Sequence, residues 1–463
     1  MKTRSINQTW KRIPKYYTLY ILILILLTTG CKKFLEIDPL KGSATSDKIF
    51  ANDQVATSAI TGIYSRMVAT YTGGTSSATL LGGLSSDEMI GYSAQHIPFY
   101  TNSIFSSNGS ISTIWIDSFA YIYTANAVLE GLESSTGVSS TTRKQLEGEA
   151  RFVRAFCYFY LVNLFGEIPL NLTTDYSVNL NAKKSTVPQI YAQIISDLQF
   201  AQNLLAPAYP TTDRVRPNKW AATSLLARVY LFNQQWELAI SSATSVIDQK
   251  TVYIMVDDLD KVFLKGSTEA IWQLMPASGT NTAEGATFIL TSSPTYASLT
   301  PLLVNAFETG DNRKNKWVNQ FTNAAGTYYY PYKYKVKSSA TVTEYSMVLR
   351  LAEQYLIRAE AYAKSGNATA SLDDINLIRK RAGLTVPLTG LNANQCLEEI
   401  EKQRKFELFA EWGHRWLDLK RTNRASTVLL PVKGSNWSDT DVLYPLPDNE
   451  LQRNPNLSQN IGY

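Results

Sequence analysis

Three segments spread along 463 residues share one arrangement: RAFCYFYLVNLFG, LLARVYLFNQQWELA and LIRAEAYAKSGNATA each place alanine three residues before tyrosine, at Ala155/Tyr158, Ala227/Tyr230 and Ala359/Tyr362. Each lies in a run whose apolar residues recur at the 3.6-residue helical period, and residues three apart share a helix face. The small residue lets a neighbouring helix approach, and the aromatic fills the groove beyond it. A chain that repeats this pattern is constrained to build helices in closely packed pairs.

Trp236 and Ala239 continue the second segment with the small-large spacing of a tetratricopeptide helix pair. Ile49, Val55, Ile60, Ile63, Tyr64 and Met67 form another stripe, as do Ala352, Tyr355, Leu356, Ala359 and Tyr362, and similar periodicity runs through 113–132, 143–165, 187–204, 217–248 and 395–421. The three Ala/Tyr pairs are unequally spaced, so long insertions separate the helix pairs. The expected fold is mainly all-α: a tetratricopeptide-like scaffold with long irregular loops and a few short strands. The polar insertions 71–112, 171–186, 275–300 and 321–345 exceed the usual loop length, which marks them as functional or disordered. Their aromatic content, including the TYYYPYKYK run, speaks for order. In PYKYKVK the alternation predicts a strand that buries Tyr332, Tyr334 and Val336 and exposes Lys333, Lys335 and Lys337.

The N-terminus carries a different message. Lys2, Arg4, Lys11, Arg12 and Lys15, with no acid among them, precede an apolar run from Tyr17 to Leu27, too short for the roughly 20 residues of a spanning helix. Thr28, Thr29 and Gly30 then run into Cys31, the order of a lipoprotein signal peptide. Residues 1–30 are expected to be removed and Cys31 acylated, more than one chain giving stable anchoring. That cut takes five of 44 basic residues and no acids, leaving 39 charges of each sign. Without net positive charge or a basic run, the remaining chain lacks the footprint of a nucleic-acid binder.

Cys157 and Cys396 fall in helical patterns and read as reduced core residues. His96 and His414 are the only histidines, too few with two scattered cysteines for a zinc site, and no cofactor is expected. Two carboxylates suffice for a glycosidase, and EKQRKFELFAEWGHRWLDLKRT, residues 401 to 422, offers Glu407 and Glu411. On a continuous helix, Arg404 and Glu407, Glu411 and Arg415, and Asp418 with Arg415 or Arg421 stand at ion-pair spacing. Arginines at that density, with Arg350 and Arg379 from neighbouring helices, depress carboxylate pKa values, whereas a catalytic acid needs a raised one. The structural reading of the two glutamates, and of His414 as a core residue, is therefore preferred.

GEARFVRAFCYFYLVNLFGEIPL (148–170), LLARVYLFNQQWELA (225–239), LRLAEQYLIRAEAYAKSG (349–366), DDINLIRKRAGL (373–384), EWGHRWLDLKRT (411–422) and YPLPDNELQRNPNLSQNIGY (444–463) together resemble the SusD/RagB family of nutrient-binding outer-membrane lipoproteins. The resemblance covers nearly the whole chain after Cys31. It implies two halves, 31–240 and 241–463, packed as one unit. It also implies a non-enzymatic protein, lipid-anchored in the outer membrane and facing outward, that binds oligo- or polysaccharide and delivers it to a SusC-like TonB-dependent transporter. A secreted helical glycoside hydrolase or lyase is the alternative, a protein-binding scaffold or adhesin a third; the ligand's identity, glycan or peptide, stays open.

The matched motifs are scaffold motifs, so the ligand residues must be sought in the insertions. A sugar ring presents apolar C–H faces and hydroxyls, which calls for aromatic platforms flanked by a few polar groups. Tyr71, Tyr92, Tyr100, Tyr296 and Trp317 are the candidate platforms, with Asp87, Asn102, Asp311 and Arg313 as polar partners. Asp311 and Arg313, in DNRKNKW, equally suit a turn.

Overall fold

A computed structural model describes residues 46–72, 76–276 and 280–463; Cys31 and the expected signal lie outside the described residues. Ile49–Tyr463 form one unit. Its principal helices are α1 (Asp53–Met67), α2 (Ala78–Ser85), α3 (Gly109–Ser134), α4 (Ser140–Phe165), α5 (Val187–Leu204), α6 (Lys219–Phe232), α7 (Trp236–Ile247), α8 (Leu351–Lys364), α9 (Ala368–Arg381), α10 (Ala393–Leu408) and α11 (His414–Arg421). Shorter helical turns are left unlabelled. From α3 to α7 each helix packs on the next, α7 continues onto α8, and α9 and α10 pack on α8. The expected helix-pair scaffold is thus the structure's main body.

Local chemistry sets the helix ends. Ser139 caps α4 by accepting from the Thr142 N–H, Asn218 caps α6 and Asn367 caps α9, each satisfying a donor that the first turn leaves unpaired. Asn392 and Gln395 cap α10 reciprocally. In the recurring pairs, Ala155, Ala227 and Ala359 are fully buried where helices meet, and Tyr158 and Tyr230 are buried beside them. The Tyr158 hydroxyl reaches the Asn171 carbonyl at 3.0 Å, tying α4 to the following insertion.

The 395–421 stripe is not one helix. It ends at Leu408 and restarts at His414, with Ala410, Trp412 and Gly413 at φ 52°, 49° and 68°. This left-handed backbone is held by tertiary contacts. The Trp412 N–H donates to Thr79 Oγ1 at 3.0 Å and its indole N–H to the Met347 carbonyl at 2.6 Å. α2 lies so close that a Cβ on Gly82 would stand 2.6 Å from the Gly413 Cα. Of the ion pairs expected from an unbroken helix, Asp418–Arg421 forms; Arg404 turns to Asp418, and Arg415 to Asp87.

The strands β1 (Met89–Gly91), β2 (Ile168–Pro169), β3 (Lys184–Ser185), β4 (Ala270–Leu274), β5 (Ala297–Leu299), β6 (Val318–Asn323), β7 (Gly326–Pro331) and β8 (Ser346–Arg350) make three small sheets. The four-stranded one, ordered β1-β5-β7-β6 and antiparallel, gathers strands from three insertions. The strand expected over PYKYKVK is absent: β7 stops at Pro331, and Lys333 turns inward until 2% exposed. It does so because Glu411 and the Glu407 carbonyl accept its ammonium, the latter at 2.8 Å.

Candidate functional site

Glu407 and Glu411 lie in a buried ionic network. Arg350 donates to Glu407 at 2.5 Å, to Glu411 at 2.8 Å and to Glu269 at 3.0 Å; Arg381 bridges Glu269 and Glu407, and Arg313 reaches Glu407 at 3.2 Å. Burial alone raises a carboxyl pKa, but the guanidinium groups of Arg381, Arg350 and Arg313 outweigh it and hold Glu407 well below the carboxylate range. A group held ionised this firmly cannot donate the proton a glycosidase acid supplies. His414 is buried among these cations, and desolvation, then Arg228 and Arg404, hold its pKa well below 6.5.

Several candidate ligand residues belong to this interior. Trp317 is fully buried, its indole N–H on the Leu259 carbonyl at 2.9 Å and its face covered by Lys333 at 4.8 Å, with Arg381 and Arg350 further out. Asp311 caps the turn before Trp317 and holds Arg313 at 2.7 Å; both are buried. Asp87 is clasped by Arg415 at 2.7 Å and Lys405 at 2.8 Å; against the cost of burial they keep its pKa well below the usual range. Tyr71 is fully buried among Phe156, Tyr160 and Trp412, its hydroxyl 2.5 Å from Ser118 Oγ. Asn102 is 2% exposed, its amide on the Ser85 carbonyl. None of these six side chains offers a surface to a ligand, because each is buried: Asp311 by its local pairing with Arg313, the others by contacts 17 or more residues away in sequence.

The other three candidates remain at the surface, and two come together. Tyr92 follows β1 and Tyr296 precedes β5; the Tyr92 N–H donates to the Tyr296 carbonyl at 3.1 Å, extending the ladder by one rung. The Tyr92 ring is 37% exposed, its hydroxyl 2.8 Å from Ser298 Oγ. It meets the Tyr328 ring of β7 edge to face at 6.0 Å, and the half-buried Tyr296 meets His96 the same way at 5.7 Å. Tyr100, half-buried in the short helix Ile97–Tyr100, carries the Lys433 ammonium 4.6 Å from its ring centre. Tyr328 escaped the sequence reading, although the period-2 spacing within GTYYYP puts it on one face with Tyr330.

The Tyr92–Tyr328–Tyr296 face is chemically neutral, made of aromatic edges and faces with hydroxyls; Gln95, three residues after Tyr92, has its amide fixed on Ser110 Oγ at 2.5 Å. Part-burial raises the Tyr92 hydroxyl pKa, so it stays protonated near neutrality and acts as donor and acceptor. Such a surface can stack on apolar C–H faces and bond hydroxyls. Among the described residues no group of three His, Cys, Asp or Glu could hold a metal ion, and no helix is long and apolar enough to cross a membrane.

Known proteins share this architecture. The family described as "Starch-binding associating with outer membrane" matches residues 33–231, and the SusD family matches 308–463. A SusD-like protein of Formosa agariphila is 27% identical over 423 residues, 76% of this chain and 80% of its own length. The starch-binding protein SusD of Bacteroides thetaiotaomicron is 36% identical over 138 residues, 28% of this chain and 24% of that protein. The crystal structure of a SusD superfamily protein from Parabacteroides distasonis superposes with TM-score 0.77 at 25% identity, over 91% of this chain and 100% of that one. With two family matches in order along the sequence and the same helical body, the chain belongs to the SusD/RagB family.

Proposed function

We propose that this protein is a surface lipoprotein of the outer membrane, acylated at Cys31, that binds oligo- or polysaccharide without cleaving it and delivers it to a SusC-like TonB-dependent transporter. Its family is carbohydrate-binding and associated with the outer membrane. The observation that carries the reading for this chain is the neutral tyrosine face of Tyr92, Tyr296 and Tyr328, an arrangement suited to stacking and hydroxyl recognition. Tyr100, close enough to Tyr92 to act on its hydroxyl, is assigned to the margin of this face as part of the proposal. The hydrolase alternative relied on Glu407 and Glu411, which are committed to arginines in the interior.

The test is a panel of soluble polysaccharides, starch and laminarin included, run against the chain from Lys32 onward. Retention on an affinity gel without release of reducing ends supports the proposal; shortening of any polysaccharide overturns it. Capture of a barrel transporter from outer-membrane extracts by the acylated protein, lost for Cys31→Ala, tests the partner and the anchor.

A further inference from the structure

Away from that face, the insertion after α4 lies along α3 and encloses a cleft of about 270 Å³ lined by Phe119, Tyr123, Asn126, Asn171, Tyr176 and Asn179, with the hydroxyls of Thr173 and Thr174. Two large rings stand open to solvent there: Tyr123 is 53% exposed and Tyr176 74%. Two exposed aromatics lining one concavity mark it as a candidate binding site.

The cleft is held in shape. Buried Asn126 donates to the Asn171 carbonyl at 2.9 Å and is itself held by Arg154 at 2.8 Å, which Asp197 clamps at 2.6 Å. One turn further along α3, Glu130 accepts from Thr173 Oγ1 and from the Thr174 N–H, both at 2.9 Å. Asp175 caps the short helix Tyr176–Leu180 through the Ser177 N–H at 2.8 Å, fixing where Tyr176 starts. Against this rigid setting, the side-chain carbonyl oxygens of Asn171 and Asn179 are both buried and accept no hydrogen bond. A buried amide oxygen without a partner costs about 1–3 kcal/mol, a cost that a ligand donor reaching either oxygen would recover.

No charged side chain lines the cleft, which excludes a recognition built on ion pairs. Open rings, two waiting acceptors and neutral walls describe a receptor for a polyhydroxylated neutral molecule. We propose that this cleft is a second saccharide-binding site, in which sugar hydroxyls donate to Asn171 and Asn179 while ring faces stack on Tyr123 and Tyr176. The inference rests on the carbohydrate-binding reading above but not on the tyrosine face. Ser110, where Gln95 bonds, and Tyr123 stand 13 residues apart on α3, roughly 20 Å along the axis at 1.5 Å per residue.

Photo-crosslinking separates the two sites. The chain from Lys32 onward is labelled with diazirine-tagged trisaccharides of α- and β-linked glucose, mannose, xylose and galactose, digested, and mapped by mass spectrometry. The expected result is label, competed by untagged sugar, on peptides spanning 115–130 or 171–180. It should fall at least fivefold in Tyr123→Ala/Tyr176→Ala, while label on peptides with Tyr92 or Tyr328 changes less than twofold. Label confined to the Tyr92 and Tyr328 peptides overturns this inference and leaves the proposed function standing. Label confined to the cleft upholds it and removes the tyrosine face; label on neither overturns both. Equal labelling of the cleft by a tagged Gly-Ser peptide also overturns it.

Discussion

The ionic network around Glu407 and the tyrosine face around Tyr92 are opposites in composition and in exposure. The first packs arginines, a lysine and carboxylates into the interior; the second is uncharged and partly open. Charge density along the sequence peaks where the fold is pinned together, because each buried ion needs its partner. The surface best suited to a ligand is written in neutral residues from insertions. In a protein whose ligand is neutral, the conspicuous stretch of sequence is the scaffold and the quiet one is the site.

Four experiments sharpen or break that contrast. Glu407→Ala strands Arg350, Arg381 and Arg313 in the core and should cost about 3–5 kcal/mol, read as a lower urea midpoint; loss of glycan binding at unchanged stability would place the network in the site and collapse the distinction. Glu88 comes next. Buried, and beside Asp87, its carboxyl is pushed up to about 8 from 4.5. A raised pKa means the fold holds the proton more tightly than the unfolded chain. The stability this gives is complete below about pH 4.5 and is lost as pH rises through about 8. Denaturant titrations over that window should show a decline on the order of 5 kcal/mol, flattened in Glu88→Gln.

Gly82→Ala forces a methyl against the Gly413 backbone and should cost about 1–3 kcal/mol in a thermal melt. Replacing Tyr92 and Tyr328 with alanine should act in the other direction of the contrast: about tenfold weaker glycan binding by calorimetry, ~1.4 kcal/mol, with a smaller change in stability. A variant that melts early and binds normally would mean these rings brace the sheet rather than contact sugar.

Most of the helical body was legible because its cause is local. The period of 143–165 predicts a helix found at Ser140–Phe165, and 187–204 coincides with Val187–Leu204. What could not be read was set by distant partners. Gly413 is the local signal of a break, but nothing near it in sequence foretells that Ala410 and Trp412 also turn left-handed against α2 and Thr79. Trp317 and Asp87 sit in polar segments that look like surface until Lys333 and Arg415, the latter 328 residues from Asp87, arrive to bury them. Alternation in PYKYKVK misled for the same reason, since an inward lysine breaks the period only when an acid awaits it. Of the candidate platforms, Tyr92 and Tyr296 are brought together because both flank strands of one sheet, a pairing of residues 204 apart that only topology supplies.

Cys157 and Cys396, the unpaired cysteines of the described residues, are both buried, and desolvation pushes the Cys157 thiol up to about 12. Alkylating reagents attack the thiolate of an accessible sulfur, so these two stay silent toward maleimide in the native state. On the chain from Lys32 onward, a single cysteine placed at Val386, which is 78% exposed, would then be the accessible thiol and take one dye, reporting the tumbling of the folded body without disturbing its interior.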